Sequence, residues 1–111
     1  MYPDPEVVGG QVFSDLPEPE AIEWMRKMIE HSNISYDGKL TYAAYEHIPV
    51  TYVVLEGDQL IPPPVQRAMV NTIVKEVGDI DLRSLNSGHV PNVTSPEALV
   101  YLLRKAARED L

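Results

Sequence analysis

The 111-residue sequence predicts an α/β fold. Three observations carry that expectation. The first is a β-branched apolar run that ends in a turn, "IPVTYVVLEGD". The second is a proline-opened amphipathic helix directly after it, "PPPVQRAMVNTIVKEVG". The third is a shorter strand, "DIDLRSLN", succeeded by a last helix, "TSPEALVYLLRKAARED". A near-continuous apolar run is how a strand covered on both faces of a parallel sheet reads. The strand–helix–strand order makes the two strands parallel, joined by a right-handed crossover.

Taken in order, Met1 to Ser14 lack periodicity and read as loop. "DLPEPEAIEWMRKMIEHS" reads as a helix, with Asp15 as its cap and Glu18 completing a capping box. Ala21, Ile22, Trp24, Met25, Met28 and Ile29 supply its apolar stripe. Pro19 fits poorly inside a helix, which places the start a residue or two later. "NISYDGKLTYAAYEH" is looser, with a turn at Asp37-Gly38. The strand from Ile48 follows, and then the helix whose Val65, Met69, Ile73 and Val77 line one face and which Gly78 stops. The last helix opens on Ser95, Pro96 and Glu97. Leu99, Leu102, Leu103 and Ala106 line its face, with Arg104, Lys105 and Arg108 near its negative end. Two strands do not make a stable covered sheet, so the run Val50 to Leu55 expects neighbours on both sides.

Composition narrows the function classes. Nine Lys and Arg against seventeen Asp and Glu give a net charge of −8. Such a surface repels phosphate backbones and anionic lipid, so neither nucleic acid nor membrane is expected as a partner. No apolar run is long enough to span a bilayer, and Met1 opens no basic-then-apolar signal, so a cytoplasmic location is expected. The absence of cysteine excludes disulfides, thiolate catalysis and Cys-based zinc sites. No cofactor is implied.

In open parallel sheets, ligands and chemistry gather just past the carboxyl ends of the strands. Asp58 follows the first strand in "LEGDQLIP", and His89 follows the second in "LNSGHVPN". Adjacent parallel strands would set them side by side, as the acid and base of a nucleophilic triad. Taken singly, "EGD" is an ordinary turn and a histidine in a glycine turn is ordinary too. It is the conjunction, and the acid-then-histidine order, that point to chemistry. Glu56 is a rival acid within the strand end, while His31 and His47 read as surface or packing residues. A metal site from Asp58, His89 and Glu56 matches no ligand spacing.

"IPVTYVVLEGDQLIPPPVQRAMV" resembles the α/β-hydrolase segment in which a strand delivers the triad acid, and "LNSGHVPNVTSPEALVYLLRKAA" resembles the closing histidine loop and C-terminal helix of that family. "SDLPEPEAIEWMRKMIEHS" and "TYAAYEHIPV" are similar to the end of the cap and its return to the core in fungal-type, esterase-like members. The resemblance runs from about Asp15 to the C-terminus. It implies a cap remnant and return segment over residues 1–47 and a C-terminal βαβα lobe over residues 48–111. It also implies Asp58 as triad acid, His89 as general base, and hydrolysis of an ester-type or related acyl bond. Trp24 would line the substrate pocket, or else be a core-facing aromatic of an amphipathic helix.

The family's nucleophile elbow, Gly-x-Ser-x-Gly, has no counterpart here. Ser14, Ser32, Ser35, Ser84, Ser87 and Ser95 all lie outside such a turn. "VVGGQ" only faintly echoes an oxyanion-hole glycine pair. The expectation is therefore a C-terminal fragment of a serine hydrolase, inactive alone. Its partners would be a small ester-type substrate and a missing N-terminal lobe, or self-association to cover the sheet. The alternative is a non-enzymatic, degenerate hydrolase-like domain or oligomeric binding module.

Overall fold

The computed structural model describes residues 5–109. Among them, helix α1 (Pro5–Val12) and helix α2 (Glu18–Arg26) form a packed pair. A short helix α3 (Ile34–Asp37) and a 3₁₀ turn (Ala44–Glu46) lead into strand β1 (Thr51–Leu55). Helix α4 (Pro63–Val77), strand β2 (Asp81–Leu85), a short helix α5 (Pro91–Thr94) and helix α6 (Pro96–Ala106) complete the order.

The sheet is the parallel pair that the sequence predicts, in register Thr51↔Asp81 through Leu55↔Leu85. Asp81 donates its N–H to the Val50 carbonyl and Glu56 donates to that of Leu85, so the even-numbered residues of this segment face β2. Thr51, Val53 and Leu55 turn their amides to the opposite edge. Helix α4 packs on β1, and Gly78 ends it with φ of 84°. Val54 and Val70 are the buried apolar residues of this layer.

A second core lies beyond the strand ends. Val12, Phe13, Ala21 and Met25 are buried together, and Val8, Leu16, Val90 and Val93 pack against them. Val90 and Val93 flank the start of α5, so this cluster seats the α1–α2 pair on the segment just after His89.

Several local expectations are corrected. Residues 5–12 are helical rather than loop; residues 1–4 of that expected loop lie outside the described residues. Helix α2 starts at Glu18 with Pro17 at its cap position and Pro19 in its first turn, so Asp15 caps nothing. It ends at Arg26 instead of Ser32, where the stripe runs out into solvent: Ile29 is 87% exposed. Ser95 occupies the cap position of α6, yet its hydroxyl makes no capping bond. Helix α4 buries Gln66 and Val70, one position on from the predicted stripe, and leaves Val65 and Met69 exposed. No residue of α6 is buried, despite its apolar face. The radius of gyration, 15.8 Å, exceeds the roughly 13 Å of a compact domain of this length.

Candidate active site

The turns after β1 and β2 lie against each other. Gly57 donates its N–H to the Ser87 carbonyl at 3.0 Å, which extends the ladder by one bond past the strands. This carries Asp58 and His89 into contact, with His89 Nδ1 2.9 Å from Asp58 Oδ2. The Asp58 side chain is 2% exposed and that of His89 28%.

Each oxygen of Asp58 is engaged. Leu60 and Ile61 donate their N–H groups to Oδ1 at 2.9 and 3.0 Å, an Asx-type turn of the kind that "GDQLI" permits. Gln66 Nε2 lies 3.5 Å from Oδ2. Burial by itself pushes the Asp58 carboxyl up, but the His89 bond, the two backbone N–H groups and the attraction of the imidazole outweigh it. The net direction is below the ordinary carboxylate value. An ionised carboxylate only accepts, so Nδ1–H of His89 is the donor in this contact and Nε2 is the ring nitrogen left over.

Gln66 holds the frame for this pair. Buried at 3% exposure, it accepts from Leu55 N–H at 2.9 Å and donates to the Leu55 and Ile61 carbonyls at 3.1 and 2.7 Å. Its amide thus stands in for a neighbouring strand at the end of the outer edge of β1. Replacing Gln66 with leucine keeps the volume and strands the Leu55 N–H and the Ile61 carbonyl, while the Leu55 carbonyl keeps the Asp58 N–H. The expected loss is about 2–4 kcal/mol, since each unsatisfied buried polar group costs roughly 1–3 kcal/mol. Urea denaturation checks it, and a loss below about 1 kcal/mol would overturn this account of the strand edge.

His89 opens onto an apolar cavity of about 510 Å³, walled by Phe13, Trp24, Tyr36, Leu60 and Val90. Trp24, 39% exposed, stands there with its ring centroid 6.3 Å from that of Phe13. Lys27 Nζ sits 4.4 Å over the indole. The structure therefore brings all three sequence-predicted residues, Asp58, His89 and Trp24, to one place.

The rival acid Glu56 pairs instead with Arg67. His31 lies against Tyr36 and His47 stacks on Tyr42, each with ring centroids 5.0 Å apart. Ser87 Oγ is 3.2 Å from the Gly88 carbonyl, 3.4 Å from Thr94 Oγ1 and 3.5 Å from Asp15 Oδ2. Sequence reasoning missed Gln66 and Asp15. The only mark of Gln66 is a polar residue inside an apolar helix, and the capping pattern of Asp15 pointed elsewhere.

No family model and no solved structure matches the chain. Among curated proteins it is 30% identical over 108 residues to "Probable hydrolase R7" of a Phoma species, covering 96% of this chain and 44% of that protein. It is 29% identical over 93 residues to "Alpha/beta hydrolase nvfD" of Aspergillus novofumigatus, covering 83% of this chain and 36% of that one. The chain spans less than half the length of these relatives. No helix among the described residues is long and apolar enough to cross a membrane.

Proposed function

We infer that this chain, whose homologues are fungal proteins named hydrolase and alpha/beta hydrolase, supplies the acid and base of a serine-type hydrolase acting on ester-type or related acyl bonds. One observation carries the reading: the 2.9 Å contact of a buried carboxylate with a half-exposed imidazole at the carboxyl ends of adjacent parallel strands.

In this mechanism Asp58 fixes the Nδ1–H tautomer and stabilises the imidazolium as it forms. His89 Nε2 takes the proton of an attacking hydroxyl and returns it to the leaving alcohol. The walls of Phe13, Trp24, Tyr36 and Leu60 suit an apolar or aromatic substrate group. Among the described residues no serine hydroxyl bonds His89, and the nearest in sequence, Ser87, is 4% exposed. The nucleophile is accordingly assigned to a segment outside these residues.

The surface supports a covering lobe. The outer amides of Thr51 and Val53 lie on the edge of β1 away from β2. Leu82 and Leu103 are 52% and 60% exposed. Joining the chain to the N-terminal remainder of a relative that carries a Gly-x-Ser-x-Gly elbow should yield hydrolysis of p-nitrophenyl esters, with none from the chain alone. The same apolar exposure favours one other reading, a self-associating non-enzymatic domain. An inactive joined protein, together with a dimer by light scattering, would establish that reading instead.

A further inference from the structure

The loop between α1 and α2 reaches both turns of the candidate site at once. Asp15 Oδ2 accepts the Gly88 N–H at 2.9 Å across 73 positions of sequence, and Ser87 Oγ stands 3.5 Å from the same oxygen. Burial pushes the Asp15 carboxyl up, but the Thr94 side chain and the Gly88 amide outweigh it and hold it below its ordinary value. One residue earlier, Ser14 Oγ donates to the Gly57 carbonyl at 3.5 Å. Gly57 and Gly88 immediately precede Asp58 and His89. The neighbours of the acid and of the base are therefore tied to one dipeptide.

The fit at Gly88 is close. A Cβ there would lie 2.8 Å from Asp15 Oδ1, so glycine is what admits the carboxylate to the amide. A bond to an ionised acceptor is roughly twice as strong as a neutral one, and this one is made directly beside the residue whose ring must be aimed. The hydrophobic cluster of Phe13 with Val90 and Val93 presses the same two segments together, so the polar latch sets the orientation of a contact that packing already provides.

We propose that Asp15 is a positioning residue for the candidate site: through Gly88 it holds His89 in register with Asp58, with Ser14 bracing the Asp58 turn. The proposal rests on the acid–base reading of that pair. It predicts a loose imidazole, rather than an unfolded chain, when the carboxylate is removed.

Proton NMR of the 111-residue chain tests it. The wild type should show a low-field Nδ1 proton of His89 and a slowly exchanging Gly88 amide. In Asp15→Ala the low-field signal should vanish and Gly88 exchange should speed about tenfold, the worth of one charge-assisted bond. The ladder amides of Tyr52 and Val54 should stay within about twofold of wild type. Asp15→Asn, whose amide oxygen still accepts, should restore the signal. Gly88→Ala should reproduce the loss in the wild type and add little to Asp15→Ala.

An unchanged His89 signal in Asp15→Ala overturns the proposal. Should that variant fail to fold, the Asn and Gly88→Ala variants decide it. Folded Asp15→Asn without the signal, or Gly88→Ala with it, is equally fatal. The acid–base reading fails by a separate route, in hydrolysis by the joined lobes that does not need His89.

Discussion

His89→Ala in the joined, active protein should lower kcat by on the order of 10⁶-fold, leaving only the residual rate that binding and oxyanion stabilisation provide. Among the described residues lining the cavity, His89 brings the one imidazole, and its Nδ1 is already committed to Asp58. KM should change little, because the ring contributes one edge of a wall formed largely by Phe13, Trp24, Tyr36 and Leu60. The measurement is a steady-state ester assay, with circular dichroism to confirm that the variant is folded. Turnover within about tenfold of wild type would mean that another group takes the proton, and the assignment of the base would fall.

Asp58→Asn should cost about 10⁴-fold in kcat at neutral pH. An amide placed where Oδ2 now accepts from Nδ1 can present its N–H₂ instead, which turns the imidazole to the wrong tautomer. The Leu60 and Ile61 N–H groups still need an acceptor, and the amide oxygen can serve them, so the fold should survive the change. The same variant carries a stability signature. The folded-state carboxyl of Asp58 is held below its ordinary value, so its contribution is present above the unfolded pKa of about 3.9. It is lost as pH falls through the lower folded value. Wild-type denaturation midpoints should therefore fall from about pH 4 downward, and the Asn variant should show a flatter acid limb. An identical acid limb in both would remove Asp58 as the source.

What the sequence made legible was local. β-Branched runs, prolines in first turns and Gly78 mark β1, α4 and β2 without reference to anything distant, and the strand order alone brings Asp58 to His89. What escaped was set by long-range contact. Helix α1 was hidden because Met1 to Ser14 show no periodicity, and Gly9-Gly10 are poor helix formers. Yet a Cβ on Gly9 would sit 3.3 Å from Met25 Cγ and 3.6 Å from the Ala21 carbonyl, so the absent side chain is what lets α2 approach. Asp15 followed a capping pattern, but an amide 73 positions away took its carboxylate. Gln66 interrupts an apolar helix for the sake of the Leu55 backbone, a need that periodicity does not encode. The stripes of α4 and α6 were read correctly as apolar, and within them Val65, Met69 and Leu103 stand exposed while Ile73, Val77, Leu99 and Leu102 are half-buried.

The Asp15–Gly88 bond also imposes a timetable on the newborn polypeptide. At about 5–20 residues per second, the 73 positions separating its ends take roughly 4–15 seconds to translate. Throughout that interval Phe13 and Met25 wait without Val90 and Val93 to cover them. Helices α1 and α2 thus stay uncovered until the segment after β2 emerges, and Asp58 and His89 are held in register only once Gly88 has been made.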